Sequence, residues 1–520
     1  MRTATFTSFD KSELFYRRWA PTGRTNGKVI CLLQGEDEPL AAMITDPLFA
    51  EYTFYTYVER GYGQTTVPAT DQFMDLVRDL DAFVHFVCER EEKKCDDIFV
   101  AAHLFSGVVA ATWVHDFAPN IFGMTLVTPA FRLKKPLAFD ISSRQLSTLT
   151  ETAARIVADS SAITVPTQLL CAEEDAFVEA KVQGDFYANL SSLQKQFLPL
   201  EGDQYDRLKA QEMQTVSTFI QACSAGSETQ TVAQMVHVMQ RESDKIAYGS
   251  LPWRQSLGYK IQRAMMNTVG RMSDGIRVGL KYGFDSGVTL DYVYENEPKG
   301  SNALGKLIDA NYLNSIGWKG IRQRKVNAIA LIKEKIESLL EAGQAVRILD
   351  IAGGPARYLI ELAEAYPQIE VRVRDYQEQN VAEGRMLAKE RGLYNISYEQ
   401  VDAFDPTSYE AQDYRPNIAV ISGVFELFSD NALISKAIKG VTKLIADSGY
   451  LLYTGQPWHP QLAFIAHVLG NHQQGQWVMR RRSQYELDTL FSSFGFNKEQ
   501  MKVDDWGIFT VSMAQFSRKE

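Results

Sequence analysis

The chain has 520 residues, 45% hydrophobic and 23% charged, with a formal net charge of −10. That length exceeds one core and calls for two or three domains of ordinary globular composition, while the acidic balance argues against general nucleic-acid binding. Met1–Asp10 lacks an apolar leader core and no apolar run approaches the ~18 residues of a spanning helix, so neither export nor a membrane span is expected and a cytoplasmic location is predicted. Cys31, Cys88, Cys95, Cys171 and Cys223 lack metal-ligand spacing, which predicts reduced thiols and no metal centre.

Lys28–Leu33 and Asp97–Ala102 read as buried strands, the second running straight into a helix over Gly107–Val114; Phe122–Pro129 and Val165–Cys171 add two more. Buried strands alternating with helices predict a parallel sheet covered on both faces. The opening Phe9–Pro21 and the block Ala110–Pro119 resemble the lysophospholipase-like branch of the α/β-hydrolase fold, over about residues 1–222. That resemblance implies a Gly-x-Ser-x-Gly nucleophile elbow at a strand-to-helix turn. Here the turn reads Ala102-His103-Leu104-Phe105-Ser106-Gly107, with Leu104 at the nucleophile in the better register and Phe105 in the other. The oxyanion strand end, Leu33-Gln34-Gly35-Glu36-Asp37-Glu38, offers acids where an oxyanion needs donors. Asp175 matches the triad acid, but no histidine lies between His115 and His237, and Tyr205 takes the place of the base. Lost triad members cost orders of magnitude in rate, so a pseudohydrolase is expected. The alternative is a bifunctional enzyme with residual ester hydrolysis, using an improvised His103–Ser106 pair.

A compositional boundary falls near Ser224–Gln230 and predicts domains at 1–224, 225–340 (helical) and 341–520. In the helical segment Arg254, Lys260, Arg263, Arg271, Arg277 and Lys281 alternate with Leu257, Ile261, Met265, Met266, Val269 and Ile276. Such a pattern suits a core-facing helix with a solvated face, or a helix lying on an anionic membrane. Leu290–Gly300 and Ile316–Lys325 are dense in polar and aromatic residues.

In Val346–Tyr358 an apolar run ends at Asp350, a glycine pair follows (Gly353, Gly354), and a helix begins. Glycines let a ligand approach the backbone and the helix end offers unpaired N–H groups, a pocket for an adenosine-type cofactor. Pro355-Ala356 at the third glycine position excludes the dinucleotide fingerprint. The strand Gln368–Asp375 ends in an acid 25 residues after Asp350, the spacing at which a carboxylate meets ribose hydroxyls. Asn395–Phe404, Asn417–Gly423 and Gly449–Gly455 read as three further strands, and Gly495–Phe496 with Trp506–Ser512 as a closing antiparallel hairpin.

This ordered set resembles class I S-adenosylmethionine (SAM) methyltransferases, and over residues 230–520 a bacterial methyltransferase family that carries a hydrolase-like region in front. The expected fold is therefore α/β: two doubly wound domains, hydrolase-like and Rossmann-like, joined by a helical segment. The resemblance implies SAM as cofactor, held by Asp350, Ala352, Gly353, Gly354, Asp375, Tyr376, Asp402, Ala403, Ser422 and Gly423, with Asp402 facing the adenine amine. It also implies a helical cover in which Tyr292, Tyr294, Trp318, Arg322 and Arg324 line substrate and the SAM carboxylate, or simply pack.

Methyl transfer is an in-line displacement that rests on positioning, and a base is needed only if the acceptor must lose a proton. Candidate bases are Glu426 and His459; His459 is preferred because imidazole titrates near neutral pH, with a structural cap as its alternative role. The triplet Arg480-Arg481-Arg482 is read as a grip on substrate phosphate or carboxylate, or as a solvated helix flank. The fourth strand ends Ser422-Gly-Val-Phe-Glu426, without an amino-methylating Asn-Pro-Pro-Tyr motif. A small-molecule or lipid-like acceptor and peripheral membrane contact are therefore expected, and a noncatalytic scaffold is the remaining alternative.

Overall fold

Strands β3 (Val29–Leu33), β5 (Ile98–His103), β6 (Gly123–Val127) and β7 (Thr167–Ala172) are buried along their whole length, which is why they read as near-continuous apolar runs. The computed structural model describes the chain except residues 34–38, 64, 135–142, 173, 201–207, 226–230, 411–413, 472–474 and 519–520. The expectations placed on Gln34–Glu38 and on Tyr205 lie outside the described residues. The chain divides into two compact units, Met1–Met235 and Val236–Glu520.

In the first unit β1 (Arg2–Thr7), β2 (Glu13–Trp19), β4 (Thr53–Tyr57) and β8 (Lys195–Leu200) complete an eight-stranded sheet of order β1-β2-β4-β3-β5-β6-β7-β8. From β4 onward all neighbours are parallel. One group of its buried charges hold one another: His115 bonds Asp116 and Asp159 at 2.6 and 2.9 Å, and Arg155 makes a two-pronged pair with Asp116 at 2.7 and 2.8 Å. Buried ions persist only when paired in this way, so the cluster is architecture.

The second unit has strands β9 (Arg347–Ile351), β10 (Glu370–Asp375), β11 (Ile396–Gln400), β12 (Ile418–Ile421), β13 (Tyr450–Gly455), β14 (Phe496–Val503) and β15 (Thr510–Phe516) in the order β11-β10-β9-β12-β13-β15-β14. The first five are parallel and β14–β15 form an antiparallel hairpin on β13, as expected from the sequence. Chain order reverses between β9 and β12, and the crevice outside the carboxyl ends at such a point is where open α/β sheets bind ligands. The 26-residue helix Ile316–Glu341 lays Leu331, Ile332, Ile336 and Leu339 into the core beside Val511 and Met513. A second core of Phe284, Val293, Leu313, Trp318, Ile465, Trp477 and Phe509 joins the preceding helices to the loops at the strand ends.

One helix departs from the core-facing expectation. Trp253–Asn267 buries none of its residues fully: Tyr259 and Met266 pack against the neighbouring core, and Trp253, Leu257, Ile261 and Met265 are exposed.

Candidate cofactor and acceptor site

Three residues of the loop after β9 hold positive φ: Ala352 at 57°, Gly354 at 60° and Ala356 at 51°. Left-handed backbone costs alanine roughly 1–2 kcal/mol. The loop is held by hydrogen bonds from Gly353 N–H to the Arg374 carbonyl (3.0 Å) and from Gly354 N–H to Asp375 Oδ2 (2.9 Å). Asp375 Oδ1 also accepts from Gln377 N–H (2.9 Å) and Asn380 Nδ2 (3.1 Å), so one carboxylate ties the glycine loop to the next helix.

Asp350 is fully buried and accepts from the Tyr358 hydroxyl at 2.7 Å, while its Oδ1 has no partner among the described residues. Burial, reinforced by the charge of Asp375, pushes its carboxyl up to about 7. Gly353 is required here, because a Cβ would lie 2.2 Å from Asp350 Oδ2. At Gly354 a Cβ would meet nothing within 4 Å, so that residue opens onto free space. Above the loop, the helix Gly287–Glu295 brings Gly287 close to Pro355 and Asn380, and Asp291 pairs with Arg357. Tyr376 is 55% exposed, and Asp402 is exposed with Oδ1 accepting from Phe404 N–H at 2.8 Å. Ala403 and Ala352 each pack, partly buried, against the inner core.

Across the switch point, Gly423 follows Ser422 with φ 71° and donates its N–H to Thr454 Oγ1 at 2.7 Å. Gly423 borders a cavity of about 370 Å³, within the size range of small-molecule sites. Its walls come from Trp318, Ile321 and Arg324 of the long helix, Glu426, Gln456 and His459 of the strand-end loops, and apolar Phe464, Trp477 and Phe509.

Of the sequence-predicted substrate residues, only Trp318 and Arg324 line this cavity. Tyr292 is pinned by its hydroxyl to the buried Asp309 carboxylate, and Tyr294 sits under the Lys325 ammonium, 5.1 Å from its ring centre. Arg322 falls one residue round the helix from the cavity-lining Ile321 and is not part of the wall.

Arg480 is neither a substrate grip nor part of a solvated flank. It is 2% exposed and bonded to Asn431 and Glu486, both at 2.6 Å. Arg482 donates to the Phe425 and Phe428 carbonyls at 2.7 Å and the Arg480 N–H to the Glu426 carbonyl at 2.9 Å, so these two brace the turn that carries Glu426, while Arg481 pairs with Glu242 and donates to the Pro457 carbonyl at 3.0 Å.

Glu426 itself is ion-paired with Arg324 at 3.1 Å, both side chains under 10% exposed, and the guanidinium lies over Phe509 at 4.9 Å. His459 does not behave as a near-neutral imidazole: burial pushes it down to about 4. Its Nδ1 accepts from Gln461 N–H at 3.1 Å, which leaves the proton on Nε2. Sequence reasoning missed Gln456 and Trp477, whose Nε2 and Nε1 are buried without partners among the described residues. Gln456 follows β13 directly, so the strand-end rule would have found it; Trp477 carries no such signal.

In the first unit, the helix Leu104–Phe117 starts with Leu104 at φ 46°. The left-handed elbow therefore falls on Leu104, not Phe105, and puts an aliphatic side chain where a nucleophile belongs. Ser106 Oγ donates to Glu59 Oε1 at 2.8 Å, so its proton goes to Glu59 and not to His103. Asp175 Oδ1 accepts from the backbone N–H groups of Phe177 (2.7 Å) and Val178 (2.8 Å). A cavity of about 460 Å³ beside the elbow is lined by His103, Leu104, Phe105, Ser106 and Glu59 among apolar neighbours.

A family model described as "Putative methyltransferase" matches residues 216–516, and one described as "Serine aminopeptidase, S33" matches residues 41–142. The chain is 37% identical to the Escherichia coli (strain K12) "Uncharacterized protein YnbC", over 98% of this chain and 97% of that protein. Among solved structures it resembles a Paleococcus ferrophilus monoacylglycerol lipase (13% identity, TM-score 0.35, covering 41% of this chain and 100% of the lipase). It also resembles the Synechocystis magnesium protoporphyrin IX methyltransferase with bound SAH (14% identity, TM-score 0.32, covering 46% of this chain and 98% of that enzyme).

Proposed function

We propose a function from one premise: this chain belongs to the "Putative methyltransferase" family whose model spans residues 216–516. The second unit is a SAM-dependent methyltransferase acting on a small or lipid-like acceptor. The observation that carries this is the crowding at Gly353, where no Cβ fits, beside open space at Gly354 and the orphan Asp350 Oδ1. Such a cradle fits a cationic adenosine cofactor: Asp350 and Asp375 would hold it at the loop, Asp402 and Ala403 at its base, Ser422 and Gly423 at the edge facing the cavity. When bound, SAM supplies an electrophilic methyl group for in-line displacement. The chain's residues then orient the acceptor and exclude water: Trp318, Phe464 and Phe509 make an apolar wall, and the Nε2–H of His459, with the N–H groups of Gln456 and Trp477, offers donors to an acceptor oxygen.

The decisive experiment incubates the protein with cell extract and SAM carrying a labelled methyl group, and follows label into small molecules and lipids by mass spectrometry. Isothermal titration of SAM into wild type and Asp375→Ala tests the cofactor site separately. No heat of binding to wild type would leave a noncatalytic scaffold as the better reading.

His459 acts as a neutral N–H donor rather than as a proton acceptor. With its pKa near 4, its protonation contributes no inflection to the rate between pH 6 and 8. An ordinary unfolded histidine titrates near 6.5, so between about 6.5 and 4 the unfolded chain binds the extra proton. Stability of the second unit therefore falls as pH drops through that window, and His459→Gln removes this part of the dependence. Denaturant midpoints at pH 7 and 5 read it; equal midpoint losses in wild type and variant would refute the assignment.

The first unit is read as a pseudohydrolase, on the strength of Leu104 at the elbow. Full-length protein and Ser106→Ala should hydrolyse short-chain p-nitrophenyl esters at the same background rate. Turnover above blank that Ser106→Ala removes would instead establish a second activity.

A further inference from the structure

The helix Trp253–Asn267 carries an apolar row that none of the described residues of its own unit covers. Trp253 is 71% exposed, Leu257 49%, Ile261 52% and Met265 58%, and Val269 just beyond the helix is 49% exposed. These positions repeat every four residues, so they form one ridge along the outer surface. The opposite side of the helix is what packs: Tyr259 stacks on His467, with ring centres 5.3 Å apart, and Met266 reaches the acceptor cavity. Large apolar side chains are stabilised by leaving water, so four of them left exposed on one ridge mark an interaction surface.

The charge pattern says what covers it. Between Leu251 and Met272 the sequence has Arg254, Lys260, Arg263 and Arg271 and no acidic residue, in a chain whose net charge is −10. Arg254, Lys260 and Arg263 are exposed beside the ridge. An apolar ridge flanked by cations, with a tryptophan at its end, suits the boundary of an anionic bilayer: the ridge enters the acyl edge and the cations meet phosphates. Among the described residues no helix is long and apolar enough to cross a membrane, so this contact would be peripheral.

We propose that Trp253–Asn267 docks the protein on anionic lipid surfaces through Trp253, Leu257, Ile261 and Met265. Met266 of the same helix lines the acceptor cavity, so docking holds that cavity's wall at the lipid surface. This last point rests on the methyltransferase reading; the docking does not.

The test is co-sedimentation of the full chain with vesicles of phosphatidylcholine alone or mixed with phosphatidylglycerol, without SAM. Wild type should pellet with the anionic vesicles at least ~10-fold more strongly than with neutral ones, and high salt should weaken the binding. Leu257→Gln/Ile261→Gln/Met265→Gln should lose that binding while keeping wild-type SAM affinity, which also shows that the variant is folded. Equal binding to both vesicle types, or undiminished binding by the triple variant, overturns the proposal. So does a wild-type dimer that the triple substitution dissociates in the absence of vesicle binding, since a second copy would then cover the ridge. Loss of SAM binding in wild type would leave the docking result standing and fail only the methyltransferase reading.

Discussion

Gly353→Ala should lower SAM affinity on the order of 100-fold while the chain stays folded. The new methyl carbon would stand 2.2 Å from Asp350 Oδ2 and 2.5 Å from its Cγ. Asp350 cannot yield, because it is 0% exposed and its backbone lies between β10 and β12. The loop must move instead, which breaks its bonds to the Arg374 carbonyl and Asp375 and spoils the surface the cofactor would meet. Overpacking of this sort costs about 1–3 kcal/mol, and every 1.4 kcal/mol is a factor of ten in affinity. Gly354→Ala is the comparison: its Cβ enters open space, so only the left-handed backbone is penalised and the loss should be nearer tenfold. Isothermal titration measures both; a Gly353→Ala protein that binds within threefold of wild type would remove Gly353 from the cofactor floor.

Arg324→Met should destabilise the second unit by about 3–5 kcal/mol, since it leaves the Glu426 carboxylate buried without its cation. The double variant Arg324→Met/Glu426→Leu should recover most of that stability, because two apolar side chains can replace a buried ion pair at little cost. Labelled methyl transfer should be lost in both. The unfolding transition of this unit is the one that saturating SAM shifts, so its denaturant midpoint can be followed in the whole chain. A single-variant loss below about 1 kcal/mol would mean that solvent screens the pair. If the double variant transfers methyl normally, Glu426 and Arg324 only brace the cavity.

Much of the architecture is legible in the sequence. Buried parallel strands announce themselves as short apolar runs, and the turn after Asp350 needs glycine at a position where a Cβ collides. Leu104 was legible too, because the strand-to-helix turn has to carry its strain on a predictable residue. The acceptor side was harder. Arg322 shares a helix with Trp318 and Arg324, and Tyr292 comes from the helix Gly287–Glu295, yet only Trp318 and Arg324 face the cavity, because helix phase turns Arg322 aside and Asp309 holds Tyr292. Spacing along a chain gives phase within a helix, but not which neighbour a given face will meet.

Charge was the least legible property. Arg480 and Arg482 read as a basic patch and turned out to be a buried brace, their cations consumed by Glu486, Asn431 and backbone carbonyls. His459 read as a near-neutral imidazole and is pushed down by burial. Conversely, Leu257, Ile261 and Met265, which the sequence left open between a core-facing and a surface-lying helix, are exposed. By itself the sequence determined two α/β units, the buried strands that carry their turns, the glycine turn after Asp350 and the leucine at the elbow, because these depend on local backbone geometry and on runs of buried residues; the lateral order of strands in each sheet came from the structure. Only the tertiary structure decided which charges are spent internally and which apolar faces are left uncovered. Burial is a property of what packs against a residue from elsewhere in the chain, and solvation, titration and exposure all follow from it.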